Sequence, residues 1–142
     1  MPDSKGSAVW KGDLKSGKGH VSTESGALDN QPYGFNTRFE DAPGTNPEEL
    51  VGAAHASCYA MAMSLGLGEK DLKADEINAR ARVTLEEQGG GFAVTKVHLD
   101  VSARIPGIDD ETFQEVAEQT KLNCPISKLL TADITLDAKL ES

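Results

Sequence analysis

The chain has 142 residues, a formal net charge of −9, and cysteines only at Cys58 and Cys124. That length suits one domain, 1–142, burying roughly 70% of its unfolded surface. The basic residues are scattered apart from Lys11, Lys15 and Lys18, which argues against nucleic-acid binding, because phosphate contact needs a basic face. Aromatic residues make up 5% with one Trp, so Leu, Val, Ile, Ala and Met must fill the core. Alanine-rich helices bury little area each, which favours oligomerisation. The N-terminal Met-Pro-Asp-Ser-Lys-Gly lacks an apolar signal core, and no run approaches the ~20 apolar residues of a spanning helix. These features predict a cytoplasmic protein with no membrane and no nucleic-acid partner.

In chain order, residues 1–7 read as a loose tail and Ala8 to Gly12 as a short strand. Gly17, Gly19 and the run His20 to Ser25 suggest a turn and a second strand, and Gly26 to Asn30 is turn-like. Tyr33, Phe35, Thr37 and Phe39 alternate, so 33–39 reads as a strand that ends before Pro43 and Gly44, with Arg38 facing away from Phe35 and Phe39. Asn46 can cap a long helix from Pro47 to Leu65 or Leu67. Glu49 is placed to close a capping box. Leu50, Ala54, Cys58, Met61 and Leu65 form an apolar stripe along the helix. Gly66 and Gly68 can end it.

Asp71 to Asn78 is a connector that can hold a helical turn. Arg80 to Glu87 alternates as a strand with one wet face. Gly89-Gly90-Gly91 is a hairpin turn, and Phe92 to Ile105 is the longest strand, with Val97, Leu99, Val101, Ala103 and Ile105 on one face. After Pro106-Gly107, Asp109 can cap a helix from Asp110 to about Leu122, with Phe113, Val116 and Ala117 on one side. Pro125 suits the start of a further short helix, with Ile126, Leu129 and Leu130 as its apolar residues. Ile134, Leu136, Ala138 and Leu140 alternate in a last strand. The order predicts an α+β fold with two main helices on an antiparallel sheet.

The two cysteines are the residues that could carry chemistry. There is no CxxC and no zinc-type spacing. Two inert core thiols are one reading, since free Cys is often buried. A reactive thiol must have its value of ~8.5 lowered by a positive environment. Cys58 lies about 18 Å down a regular helix from Asn46. The helix dipole fades within the first turn, and burial raises a thiol pKa. Cys124, just before Pro125 at a helix start, is the easier thiolate by local physics. His55 can lie beside Cys58 as an activating partner, although a histidine there is more often simply packed or exposed. Arg38 stays charged at any relevant pH and could be placed against the thiol. Glu48 is free to hold Arg38 by a bidentate pair. His55, Cys58 and Cys124 are too few to close a metal site, so neither metal nor cofactor is expected.

The chain resembles the OsmC family of thiol peroxidases, whose relatives include the organic hydroperoxide resistance proteins. The resemblance runs from Trp10-Lys11-Gly12 to Leu140-Glu141-Ser142. It is carried by Ser22-Thr23-Glu24-Ser25-Gly26, by Gln31 to Glu40, and by Gly44-Thr45-Asn46-Pro47-Glu48-Glu49-Leu50. Ala53-Ala54-His55-Ala56-Ser57-Cys58 and Cys124-Pro125-Ile126-Ser127 complete it, and together they fit OsmC proper better than the hydroperoxide-resistance branch.

The resemblance implies an intertwined homodimer with active sites at the subunit interface. It implies that Cys58 is the peroxidatic thiol and Cys124 the resolving one, which reverses the ranking from helix position. Arg38 carries over as the cation beside Cys58, and Glu48 as the carboxylate that orients it. Glu48 lies about 15 Å along a straight helix from Cys58, so Arg38 must span the gap, or the helix must bend, or the residues meet across the dimer. The implied activity is reduction of organic hydroperoxides and hydrogen peroxide through a Cys58 sulfenic acid and a Cys58–Cys124 disulfide, with an external dithiol as reductant. Phe35, Phe39, Leu50 and Met61 would form an apolar substrate pocket. A thiol redox sensor or regulatory binding protein could use the same pair without rapid turnover, and a structural stress protein could carry the thiols incidentally.

Overall fold

Three strands lead the chain in the computed structural model, which describes residues 2–142. They are β1 (Gly6–Lys11), β2 (Lys18–Thr23) and β3 (Gln31–Tyr33), antiparallel in the order β1-β2-β3. The expected loose tail therefore ends at Lys5, and its first residue lies outside the described ones. Trp10 and Tyr33 bring their rings to 5.7 Å across Gly19. A Cβ at Gly19 would come within 2.6 Å of the indole and 2.7 Å of the phenol ring, so this close aromatic approach requires glycine.

The strand expected over 33–39 is corrected. Only Tyr33 belongs to β3, and Phe35–Phe39 forms a one-turn helix, α1. Thr37 makes the difference: its hydroxyl accepts from the Gly34 N–H at 2.9 Å and donates to the Gly34 carbonyl at 3.0 Å. Phe35 and Phe39 then meet as an i,i+4 pair, ring centroids 4.9 Å apart. Arg38 consequently projects from a helix rather than from the reverse face of a strand.

The long helix α2 (Pro47–Gly68) starts as its sequence predicts. The Asn46 side-chain oxygen accepts from the Glu49 N–H at 2.8 Å, and its amide nitrogen donates to the Thr37 carbonyl at 3.0 Å. Asn46 thus caps α2 and ties it to α1. Glu49 does not close a capping box on Asn46; its carboxylate accepts from the Thr45 hydroxyl at 2.9 Å.

The chain divides into two compact units, the first ending at Leu50 and the second running Val51–Ser142. In the second, α2 buries Gly52, His55, Tyr59, Met63 and Leu67. This corrects the expected stripe. Met61 and Leu65 are 77% and 71% exposed, and Cys58 sits half-buried at the margin. Both faces have helical spacing, and the one with the small Gly52 is packed. A Cβ at Gly52 would stand 3.2 Å from the Ala81 carbonyl oxygen, so helix and strand approach closely there. By length and apolar composition alone, α2 could cross a membrane, contrary to the expectation that no run is long enough. Its buried face makes it the core helix of this unit.

A second three-stranded sheet covers that face. β4 (Glu76–Gln88) and β5 (Gly91–Arg104) form a long antiparallel hairpin whose turn residues, Gly89 and Gly90, both have positive φ. The connector before β4 holds no helical turn over 72–74, and the strand begins at Glu76. Val97, Leu99, Val101, Ala103 and, just past the strand, Ile105 form the expected buried face.

The crossover runs through α3 (Asp110–Asn123) and α4 (Pro125–Leu129) to β6 (Asp133–Glu141). The Asp109 carboxylate caps α3 by accepting from the Thr112 N–H at 2.8 Å. β6 pairs with β5 in parallel, Val97 against Ile134 and Leu99 against Leu136. The expected all-antiparallel sheet is therefore corrected: a helical crossover of this length brings a strand back parallel. Phe113, Val116 and Ala117 of α3 join Tyr59, Met63 and Leu67 in the core. The architecture is α+β.

Candidate active site

Cys58 and Cys124 meet. Cys58 lies on α2 next to the buried Tyr59. Cys124 occupies the break between α3 and α4, where Pro125 cannot continue the preceding helix. Its N–H donates to the Thr120 carbonyl at 2.9 Å, and its own carbonyl accepts from the Lys128 N–H at 3.1 Å, so its backbone belongs to both helices. The Cys124 thiol, fully buried, stands 3.2 Å from the Cys58 sulfur, and both cysteines are free. A disulfide requires about 2.05 Å, so the sulfurs are not covalently joined; the Cys124 thiol hydrogen-bonds the Cys58 sulfur.

Burial pushes the Cys58 thiol above its ordinary pKa, and the adjacent Cys124 sulfur pushes it further the same way. The Ile126 backbone N–H opposes both by hydrogen-bonding the Cys58 sulfur. This donor, from the first turn of α4, was not found from the sequence; the Pro125 that starts α4 is the signal that could have suggested it. Within its own surroundings Cys58 is a reluctant thiolate.

His55 does not supply the missing charge. Its ring is fully buried on the packed face of α2, and Nε2 lies 2.8 Å from the Ser127 hydroxyl of α4. Burial lowers its pKa, which keeps the imidazole neutral near pH 7.

In the first unit, Arg38 of α1 and Glu48 in the first turn of α2 form the expected two-point ion pair. Arg38 donates from Nε to Oε1 at 2.9 Å and from Nη2 to Oε2 at 2.8 Å. The fork-to-carboxylate match fixes the plane of the guanidinium. The guanidinium also lies 5.5 Å from the Phe39 ring centroid, over its face. Of the four residues expected to line a substrate pocket, Phe35 and Phe39 pack against each other with tilted rings, Leu50 is half-buried and Met61 is exposed.

One group outside the expected set has ligand-like geometry. The ligand atoms of His98, Asp100 and Asp137 lie within 4.8 Å of one another on β5 and β6. His98 bonds the Thr135 hydroxyl at 2.6 Å and the Asp137 carboxylate at 3.0 Å. These bonds account for its orientation.

An α+β chain that brings a half-buried thiol against a buried one, with no other cysteines, is that of a cysteine-dependent redox protein. The chain belongs to the OsmC-like protein family, whose model matches residues 39–139. It is 54% identical to Peroxiredoxin OsmC of Escherichia coli (strain K12) over 97% of this chain and 96% of that one. It is 31% identical to the organic hydroperoxide resistance protein OhrB of Bacillus subtilis (strain 168), over 87% of this chain and 88% of that one. The fold is shared with an OsmC-like protein of Vibrio cholerae, at 16% identity and a TM-score of 0.77 over 97% of this chain and 99% of that one. It is shared also with the crystal structure of OhrB, at a TM-score of 0.65 and 24% identity over 96% of this chain and 98% of that one.

Proposed function

We propose that this protein is a thiol peroxidase that reduces hydroperoxides through Cys58, with Cys124 as the resolving thiol. The observation that carries the reading is the 3.2 Å contact between the two sulfurs, one half-exposed and one buried. Its similarity to proteins named for peroxiredoxin activity and organic hydroperoxide resistance supports it.

In the first step the Cys58 thiolate attacks one oxygen of the peroxide and the O–O bond breaks. Cys58 keeps that oxygen as a sulfenic acid, and the other oxygen leaves as an alkoxide, or hydroxide from hydrogen peroxide, and takes a proton. Arg38, oriented by Glu48, stabilises the Cys58 thiolate and the charge on the leaving oxygen. This cation supplies what burial of Cys58 removes. In the second step the Cys124 sulfur attacks the sulfenic sulfur, the S–O bond breaks, and water leaves. An external dithiol then reduces the Cys58–Cys124 disulfide by two exchanges. These steps suit a reducing, cytoplasmic compartment.

The apolar face of α2 with Met61 and Leu65 supports a homodimer, because exposed apolar area of this kind is usually covered. We assign Phe35, Phe39, Leu50 and Met61 to the alkyl part of an organic hydroperoxide. The test is steady-state peroxide consumption with dithiothreitol, comparing an alkyl hydroperoxide with hydrogen peroxide. Turnover of both, faster with the alkyl substrate and absent in Cys58→Ser, is expected; a wild-type protein that consumes neither would leave only sensing or structural roles.

A further inference from the structure

His55 and Ser127 have no part in the chemistry above, yet they join the two helices that carry the reacting thiols. His55 lies on α2, one turn before Cys58, and Ser127 lies on α4, three positions after Cys124. The ring is 0% exposed and the serine 7%. His55 Nε2 and Ser127 Oγ are 2.8 Å apart, across 72 positions of sequence. His55 Nδ1 has no partner among the described residues. The whole polar commitment of a fully enclosed imidazole is therefore to one hydroxyl on α4.

The short helix needs such a tie. α4 has five residues, and a helix that short does not hold its shape alone. Of its apolar side chains, Ile126 is only partly buried against the core and Leu129 is 72% exposed. Yet this one turn delivers two groups to Cys58: the Cys124 sulfur and the Ile126 N–H. Both depend on where α4 sits against α2. A buried hydrogen bond serves well as a positional constraint, since breaking it leaves a polar atom unsatisfied in the core.

We propose that the His55–Ser127 hydrogen bond is the latch that holds α4 on α2, so that Cys124 closes on oxidised Cys58. His55 and Ser127 are positioning residues for the resolving step, and the assignment rests on the reading of Cys124 as the resolving thiol. In that step the Cys124 sulfur attacks the Cys58 sulfenic sulfur. The S–S bond forms, the S–O bond breaks, and the departing hydroxyl leaves as water with the thiol proton. No further oxidant or reductant enters. The sulfurs must approach from 3.2 Å to about 2.05 Å while α4 stays in register. Without the latch α4 swings, and the sulfenic acid persists long enough to meet a second peroxide.

The experiment uses full-length reduced protein mixed with one equivalent of cumene hydroperoxide. Intact mass after rapid quenching gives the proportions of sulfenic acid, disulfide and sulfinic acid over time. Ser127→Ala and His55→Phe each slow disulfide closure by about tenfold, the scale of one lost buried hydrogen bond. Both raise the sulfinic fraction under excess peroxide. The double variant closes no more slowly than either single one, because both remove the same interaction. His55→Gln, whose amide can reach Ser127, restores part of the rate. Should His55→Phe fail to fold, Ser127→Ala decides alone, because it removes only a hydroxyl. Closure at the wild-type rate in Ser127→Ala, or additive slowing in the double variant, overturns the latch. A wild-type protein that accumulates sulfenic acid and never forms the disulfide overturns the resolving role itself, and the latch with it.

Discussion

The sulfur of Cys124 lies 3.2 Å from that of Cys58, 66 positions earlier in the chain, and only the Cys58 side is open to solvent. That asymmetry fits the proposed order of events. A peroxide can reach Cys58 first, while Cys124 waits behind it at the junction of two helices.

The first expectation concerns what happens when the waiting thiol is removed. Cys124→Ser should consume one equivalent of hydroperoxide in forming the Cys58 sulfenic acid, take up a second in passing to sulfinic acid when peroxide is in excess, and then stop. Mass spectrometry of Cys58 checks this. Sustained wild-type turnover in Cys124→Ser with dithiothreitol would show that the nearby sulfur is not needed.

The second concerns pH. Burial and the Cys124 sulfur both raise the Cys58 pKa, so its surroundings favour the neutral thiol. In the proposed mechanism Arg38 reverses that sign. In Arg38→Met the pH midpoint for Cys58 alkylation should lie above the ordinary thiol value of ~8.5, and in the wild type below it, a separation of about one unit or more. Measurements in Cys124→Ser, with and without Arg38→Met, isolate Cys58. Equal midpoints would remove Arg38 from the account.

The raised value also has a consequence for stability. A thiol whose folded pKa lies above its unfolded one contributes stability that is fully present below the unfolded value and is lost as pH rises through the folded one. In Arg38→Met, melting temperature should therefore fall above about pH 8.5, and adding Cys58→Ser should flatten that fall. A fall of equal size in both would place its origin in another group.

Glu48 is expected to act on rate rather than on folding. Its pair with Arg38 is partly exposed, with 36% of the arginine side chain accessible, and pairs of that kind contribute about 1 kcal/mol or less to stability. Glu48→Gln keeps the shape but removes the charge that fixes the guanidinium. A fall of about tenfold or more in kcat/KM, with the melting temperature nearly unchanged, is the expected result. An unchanged kcat/KM would mean that Arg38 needs no orienting partner.

The exposed apolar face of α2 leads to the fifth expectation. Leu65 is 71% exposed, and Leu65→Glu places a charge there without disturbing the face that packs on the sheet. Light scattering should report a dimer for the wild type and a monomer for the variant, with loss of turnover. A wild-type monomer that turns over fully would contradict the dimeric site.

The helices were legible where the sequence carries explicit end signals. Asn46-Pro47, Asp109 and Cys124-Pro125 mark three starts, and each is found where expected. The period-two patterns read over 80–87 and 92–105 match the strands found at 76–88 and 91–104, the first of which begins four residues earlier than expected. Alternation misled over 33–39, because Phe35 and Phe39 satisfy the spacing of a strand and of a single helical turn alike. The bonds from Thr37 to Gly34 decide between them. Helix α2 is apolar on more than one side, so its stripe could not be assigned to core or surface by periodicity.

The parallel pairing of β6 was implicit in the helical crossover that precedes it, but which edge it joins is a tertiary fact. At the site, the chemistry-bearing residue types could be named from the chain. The mutual placement of Cys58, Cys124 and the Ile126 N–H could not, because it depends on how α4 docks on α2. His55 could be read either as a cation beside Cys58 or as a packed histidine, and it is the packed one, a neutral ring bonded to Ser127.

The central claim is that Cys58 takes the peroxide oxygen and Cys124 resolves it. A single-turnover reaction of fully reduced protein with one equivalent of cumene hydroperoxide, followed by thiol titration and peptide mapping, tests it directly. The account predicts loss of both thiols, recovery of a Cys58–Cys124 linked peptide pair, and one equivalent of cumyl alcohol, with no reaction in Cys58→Ser. Equal peroxide reduction by Cys58→Ser, or wild-type protein that keeps both thiols while peroxide disappears, would contradict it.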